Sequence, residues 1–388
     1  MSALSFINGI KGFVKLLNRR RIKSHKVRLG KKYDAQNFVK IQRPEKIKKV
    51  LLVDCQLGFG DFLYFAGLAR KLSCHGVCVS VGTIGSALDR YKNQPYLCAV
   101  YDIERDAGSI NGENYDLIFD LTYVNINYWP ERSSILKRLS RYAITCGDVS
   151  SQYHLYQEYC DISSYTHTAK RMGKIYAAIV GEDEEAIPPF FYVSDEEVQR
   201  EAAETLKKIH QEDFVVYLNS KARDKDRCLS DDQTCSIVNK LKGLHKIKII
   251  LFSKVEFNDS DVINMPNVDF STAAKIIHRA NAIVSPDTSI VHLGSAFNIP
   301  TFAIFCGNDR DYFPQYPMKE VWGPLAENSF IFSCDKPHTF DYAVPLDKVT
   351  PISDINPEML SEVVKEFVQG LIKKESHKDS LCNINGCS

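Results

Sequence analysis

The chain carries almost no net charge, with 49 Lys and Arg against 48 Asp and Glu over 388 residues. Nothing global therefore draws it to nucleic acid. No apolar run approaches the ~20 residues that span a bilayer, and no segment reads as a secretory signal. Twelve cysteines are present but scattered. No pair has C-x-x-C spacing, and no Cys/His cluster has the spacing of zinc ligands. They read as reduced thiols of a cytosolic protein. A complete G-x-G-x-x-G fingerprint is also missing, which argues against a dinucleotide-dependent oxidoreductase.

What is present is an α/β alternation long enough for two domains. Val77–Val81, Ala99–Ile103, Tyr115–Leu121 and Ile144–Cys146 read as strands, with helices expected over Arg132–Arg141 and His167–Val180. Gly181–Pro189 reads as a linker. Beyond it come a helix over Glu196–Ile209, a strand Phe214–Leu218, a helix Asp231–Leu241, a strand Ile247–Phe252 and a short helix Ala273–Arg279. Pro357–Lys374 reads as a terminal amphipathic helix.

The most informative stretch runs from Asn281 to Phe305. The apolar run Ala282-Ile283-Val284 is expected to end at Ser285-Pro286. Asp287 and Thr288 then open a helix bearing Ser289 and His292, and Pro300 precedes a second strand, Thr301–Phe305. Ligands of open α/β sheets bind at the carboxyl ends of strands. There Asp287 can accept from sugar hydroxyls, and helix-start amides around Thr288 and Ser289 suit a phosphate. Each residue also has a plain structural reading: Asp287 and Thr288 as helix-start residues, His292 as an inner-face histidine.

Two further segments carry chemistry. The strand Lys48–Cys55 runs into Gln56-Leu57-Gly58-Phe59-Gly60-Asp61 and then the helical stretch Phe62–Leu72. Gly58 and Gly60 let backbone approach a ligand closely, and Asp61 stands at the start of the helix, where it can also serve as a cap. After Phe214–Leu218, Ser220 opens a loop holding Lys221, Arg223, Lys225 and Arg227. A departing nucleoside diphosphate needs such cations, a metal or helix-terminal amides.

Asp287-Thr288, His292-Leu293, Ala296 and Pro300 resemble the C-terminal signature of glycosyltransferase family 9, the lipopolysaccharide heptosyltransferases. Its N-terminal signature, a strand and a short loop ending in Gly-Asp before an apolar helix, resembles Gly60-Asp61. Both lie within a resemblance covering roughly residues 47 to 330. Where the family has K-x-W-P this chain has Arg227-Cys228-Leu229-Ser230, so Arg227 stands for the lysine, with Lys225 or Arg223 as alternatives.

The resemblance implies an α/β protein of GT-B architecture, two Rossmann-like domains facing a central cleft. The expected divisions are a basic extension at 1–45, an acceptor domain at 46–185 and a nucleotide-sugar domain at 186–350. A terminal helix at 351–375 would cross back to the first domain, followed by a disordered tail at 376–388. It also implies an inverting, metal-independent transfer, most simply of heptose from ADP-heptose onto a lipopolysaccharide core or related glycan. In that reading Asp61 is the catalytic base. Asp287, Thr288, Ser289, His292, Arg227, Lys225 and Ser220 hold the donor, and Gly58 and Gly60 shape the acceptor loop. No metal or other cofactor is expected, the sugar nucleotide being a co-substrate. Asp259-Ser260-Asp261 and Asp309-Arg310-Asp311 look like metal-binding D-x-D triplets but lack that class's surroundings. The alternatives are a GT-B transferase using a UDP- or CMP-sugar, and a non-catalytic nucleotide-sugar-binding or scaffold protein at a membrane.

Residues 1–50 hold fifteen Lys or Arg and only Asp34 and Glu45 as acids. On a helix, Phe6, Ile7, Ile10, Phe13, Val14 and Leu17 share one side, Asn8, Lys11, Lys15, Asn18 and Arg19 the other, and a basic flank follows at Arg20, Arg21 and Lys23. Such a segment suits an anionic membrane surface, with the enzyme cytoplasmic and peripheral at the inner face of the inner membrane. The other reading is a helix docked on the protein's own core with a solvated basic face.

Overall fold

The computed structural model describes residues 39–40, 46–54, 58–91, 94–103, 105–106, 109–110, 113–121, 144–148, 158–160, 167–182, 185–193, 200–265, 269–305, 318–333 and 351–384. The basic amphipathic segment, the helix expected at Arg132–Arg141 and Asp309–Asp311 lie outside them. The chain clusters into two compact units, one of residues 1–57, 69–165 and 173–185, the other of 58–68, 166–172 and 186–388.

The first unit is built on seven parallel strands: β1 (Val39–Lys40), β2 (Lys49–Asp54), β3 (Cys78–Thr83), β4 (Ala99–Asp102), β5 (Leu117–Asp120), β6 (Ile144–Asp148) and β7 (Glu158–Cys160). Their order is β1-β7-β6-β5-β2-β3-β4. Val50 to Val53 are buried, as a strand covered on both faces requires. The chain reverses direction across the sheet between β2 and β5, the kind of switch point where such sheets bind ligands.

The second unit repeats the plan with six parallel strands: β8 (Phe214–Asn219), β9 (Ile247–Phe252), β10 (Val262–Asn264), β11 (Ala282–Pro286), β12 (Thr301–Phe305) and β13 (Phe330–Ser333). The order β10-β9-β8-β11-β12-β13 puts its switch point between β8 and β11. Among the described residues, besides a one-turn helix at Leu88–Tyr91, the helices are α1 (Phe59–Cys74), α2 (Thr168–Val180), α3 (Arg200–Lys207), α4 (Asp231–Lys242), α5 (Phe270–Ile277), α6 (Ser289–Phe297), α7 (Met318–Trp322) and α8 (Pro357–Ile384). Ile237, Val238 and Leu241 of α4 and Leu360, Val364, Val368 and Leu371 of α8 share one core with the strands. The α8 positions recur at helical spacing, so one face is buried.

Several elements depart from the sequence expectations. β11 continues through Pro286 instead of stopping before it, because pairing with β8 ends at Val284 while pairing with β12 runs on to Pro286 and Ile304. β10, α7 and β13 have no periodic signal: the first two are very short, and β13 is a half-exposed edge. The buried face of helix α8 packs on the core of the second unit. The helix also runs to Ile384, into the expected tail, since no Pro or Gly interrupts it after Gly370. Residues 58–68 group with the second unit although sequence order put them in the first domain. Aromatic contacts described below are the reason.

Candidate functional site

At the switch point of the second unit, β8 ends at Asn219 and β11 at Pro286. Asn219 is buried, and its Nδ2 donates to Ser285 Oγ (3.0 Å) and Thr288 Oγ1 (3.3 Å). Its Oδ1 accepts from the Lys221 amide at 3.0 Å. One amide side chain thus ties both strand ends and the loop after β8. The loop closes where the Leu229 amide donates to Ser220 O at 3.0 Å. Inside it, Cys228 Sγ accepts from the Ala222 amide at 3.2 Å. Ser220 is buried, with Oγ donating to Ser253 Oγ at 2.8 Å.

Within this loop a short 3-10 turn, Lys225–Arg227, is capped by Asp224. The turn aims Arg227 inward: Nη1 donates to Asp287 Oδ2 at 3.2 Å and to Asp287 O at 3.3 Å. Arg227 is 24% exposed and Asp287 only 8%. Lys225 and Arg223 are exposed, and Lys221 sits over the Phe252 ring. The structure therefore joins Arg227 and Asp287 of the expected donor set and leaves Lys225 at the surface. Thr288 caps α6 through Oγ1, which accepts from Ile290 N at 3.2 Å, and Ser289 is the first helical residue.

His292 lies one turn further along α6 and is 4% exposed. Burial, reinforced by nearby His167, depresses its pKa from 6.5 to about 3. It is therefore neutral and adds no positive charge toward a phosphate. Its buried Nδ1 has no hydrogen-bond partner. The ring sits against Tyr64 (5.3 Å between centroids) and Trp322 (5.4 Å). His167 is held nearby with its tautomer set: Nε2–H donates to Gly323 O at 3.1 Å while Nδ1 accepts from the Ala169 amide at 3.1 Å.

The Gly58–Asp61 loop reaches the same helix. Gly58 N–H donates to Asp61 Oδ2 at 3.1 Å, a bond from the cap position to a first-turn carboxylate. Asp61 is half-buried. A Cβ at Gly60 would stand 2.7 Å from His292 Cδ2, so only glycine admits this approach. Phe59 stacks on Phe270 at 4.1 Å, and the Phe190 amide donates to Leu63 O at 2.9 Å.

Asn219, Tyr64, His167 and Trp322 escaped the sequence reading. Only Asn219 carried a signal, as a polar residue ending a buried strand just as Asp287 follows one. Asp259 and Asp261 are engaged by Lys242 and Lys248. Among the described residues no group of three or more His, Cys, Asp or Glu could hold a metal ion, and no helix is long and apolar enough to cross a membrane.

Comparison with known proteins adds the following. The family model described as Glycosyltransferase family 9 (heptosyltransferase) matches residues 246–347, a span that contains Asp287 to His292 but neither Asp61 nor Arg227. A protein of Escherichia coli (strain K12), provisionally named lipopolysaccharide heptosyltransferase 4, is 22% identical over 303 residues, covering 73% of this chain and 81% of its own. The crystal structure of the family 9 glycosyl transferase from Veillonella parvula DSM 2008 superimposes with a TM-score of 0.62 at 13% identity, covering 86% of this chain and 100% of that one. The E. coli ADP-heptose lps heptosyltransferase II superimposes with a TM-score of 0.60 at 14% identity, covering 84% and 99%. The fold is that of GT-B heptosyltransferases.

Proposed function

We propose that the chain is a glycosyltransferase of family 9 that moves a heptose from ADP-heptose onto a lipopolysaccharide core or related surface glycan, a reading supported by the family-model match and by the heptosyltransferase relatives. The observation that carries the donor half is the Arg227–Asp287 pair beside the capped start of α6, at the switch point of the second sheet. A nucleoside diphosphate is chemically suited to that place. Its phosphates complement the guanidinium and helix-start amides, and Asp287 can accept from hydroxyls of the sugar. Before the donor arrives, Asp287 holds Arg227 in position. A bound diphosphate then competes for the same guanidinium.

The reaction in this reading is a direct displacement. An acceptor hydroxyl oxygen bonds to the anomeric carbon while the bond from that carbon to the diphosphate oxygen breaks. The leaving diphosphate takes the electron pair, with Arg227 opposite its growing charge. Asp61 takes the hydroxyl proton, and the anomeric centre inverts. His292, being neutral, neither shuttles that proton at neutral pH nor neutralises phosphate. No metal is assigned a step. The enzyme would work on the cytoplasmic side of the inner membrane, the basic residues of 1–50 meeting anionic lipid.

Melting of the full chain with ADP, UDP, GDP and CMP, with and without magnesium, tests the donor. Stabilisation by ADP without magnesium supports ADP-heptose, whereas a preference for UDP or CMP replaces the sugar and keeps the fold. Silence toward all four would favour a non-catalytic role. General-base assistance contributes about 10²–10⁴-fold, so Asp61→Asn should lower turnover by that factor with nucleotide affinity retained. Unchanged turnover would remove Asp61 from the role.

A further inference from the structure

Residues Gly58 to Leu68, which carry Asp61, belong to the second unit, the one that holds Arg227 and Asp287. The contacts that place them there are specific. Phe59 stacks on Phe270 of α5, and Phe62 meets Phe191 edge-on at 6.3 Å. Leu63 O accepts from Phe190 N. A Cβ at Gly67 would come within 2.2 Å of Pro188 O, so α1 lies directly on that backbone. Nearest Asp61 is Gly60, and the three atoms closest to a Cβ there are Cδ2, Nε2 and Cγ of His292. The ring that blocks a side chain at Gly60 is itself wedged between Tyr64, one turn along α1, and Trp322 of α7. His292 thus meets α1 both at Gly60 and at Tyr64, on either side of Asp61.

We propose that His292 is a positioning residue for Asp61, its ring keyed under Gly60 so that the base is registered against the donor-binding helix α6. The ring serves through its shape, wedged where a Cβ at Gly60 would stand, and its buried Nδ1 has no hydrogen-bond partner. The assignment rests on Asp61 being the base only for its effect on turnover. The keyed contact itself is a property of the fold.

Hydrogen exchange of the amides of residues 59–65 and turnover of ADP-heptose with a heptose-deficient lipopolysaccharide acceptor are measured together. The proteins are the wild type, Gly60→Ala, His292→Ala, the double variant and Asp61→Asn. Gly60→Ala forces α1 off the ring, so exchange over 59–65 rises and kcat falls by up to about 10²-fold, the cost of a misplacement near 1 Å. Donor KM stays within about twofold, because Arg227 and Asp287 are not displaced. The double variant has room for the new methyl, so it regains protection and part of kcat relative to Gly60→Ala. Unchanged exchange in Gly60→Ala, or a double variant no better than Gly60→Ala, overturns the proposal. Full turnover in Asp61→Asn overturns the base assignment instead, and the exchange data still judge the keyed contact.

Discussion

Arg227 and Asp287 stand sixty positions apart and meet at 3.2 Å. A carboxylate as buried as Asp287 is costly without its counter-charge, whereas a partly exposed arginine loses less. Arg227→Gln is expected to destabilise by about 1–2 kcal/mol after allowance for solvent around Arg227, and to weaken ADP binding. Asp287→Asn removes the carboxylate charge opposite Arg227 but keeps the bond to the backbone carbonyl, so ADP affinity should hold while turnover falls. Calorimetric titration of both variants checks this contrast. His292 gives a second prediction, with its sign fixed by burial. The folded chain keeps it neutral down to about pH 3, while the unfolded chain takes up a proton below its ordinary 6.5. The histidine therefore costs no stability above pH 6.5 and removes it as pH falls from there toward 3. At pH 4.5 the penalty is on the order of 2–3 kcal/mol. His292→Gln should lose melting temperature less steeply than the wild type between pH 7 and pH 4.5. Equal slopes would mean that the ring is hydrated.

At the scale of elements, α4 illustrates how one side chain serves two ends of the chain. Ser230 and Gln233 form a reciprocal capping box, with Ser230 N–H donating to Gln233 Oε1 at 2.8 Å. The Nε2 of the same glutamine donates to the carbonyls of Ile352 (2.7 Å) and Ile355 (2.8 Å), just before α8. Gln233→Ala breaks the box and strands two carbonyls that it had satisfied. It should cost about 2–4 kcal/mol, against about 1 kcal/mol for Ser230→Ala. Urea melts of the two variants separate the contributions. The sequence reading placed a helix at Asp231–Leu241 without its capping box. The reach to Ile352 was not legible, because nothing local encodes a contact more than a hundred residues away.

At the scale of the molecule, α8 completes the core of the second unit. Leu360, Val364, Val368 and Leu371 are buried there, each at about 1.5–3 kcal/mol. Together they are comparable with the whole stability of a domain. Ending the chain after Ile355 should abolish cooperative unfolding. Ending it after Lys374, which keeps the Lys374–Asn328 hydrogen bond, should leave the melting temperature within a few degrees. Scanning calorimetry distinguishes the two truncations. Amphipathic spacing over Pro357–Lys374 announced this helix, but spacing names a buried face without naming what buries it.

By itself the sequence determined the α/β class, most of the central strands and a resemblance to family 9, since buried parallel strands and helix-start residues leave local patterns. It also put Asp61, Asp287, Thr288 and His292 at strand or helix ends, where ligands of such sheets bind. Only the tertiary structure decided which cation of the loop after β8 turns toward Asp287, that Asn219 ties the strand ends, and that Gly60 rests on His292. These are contacts between distant segments, selected by shape and burial once both sides have folded. A local pattern supplies candidates for such pairs. Packing chooses among them.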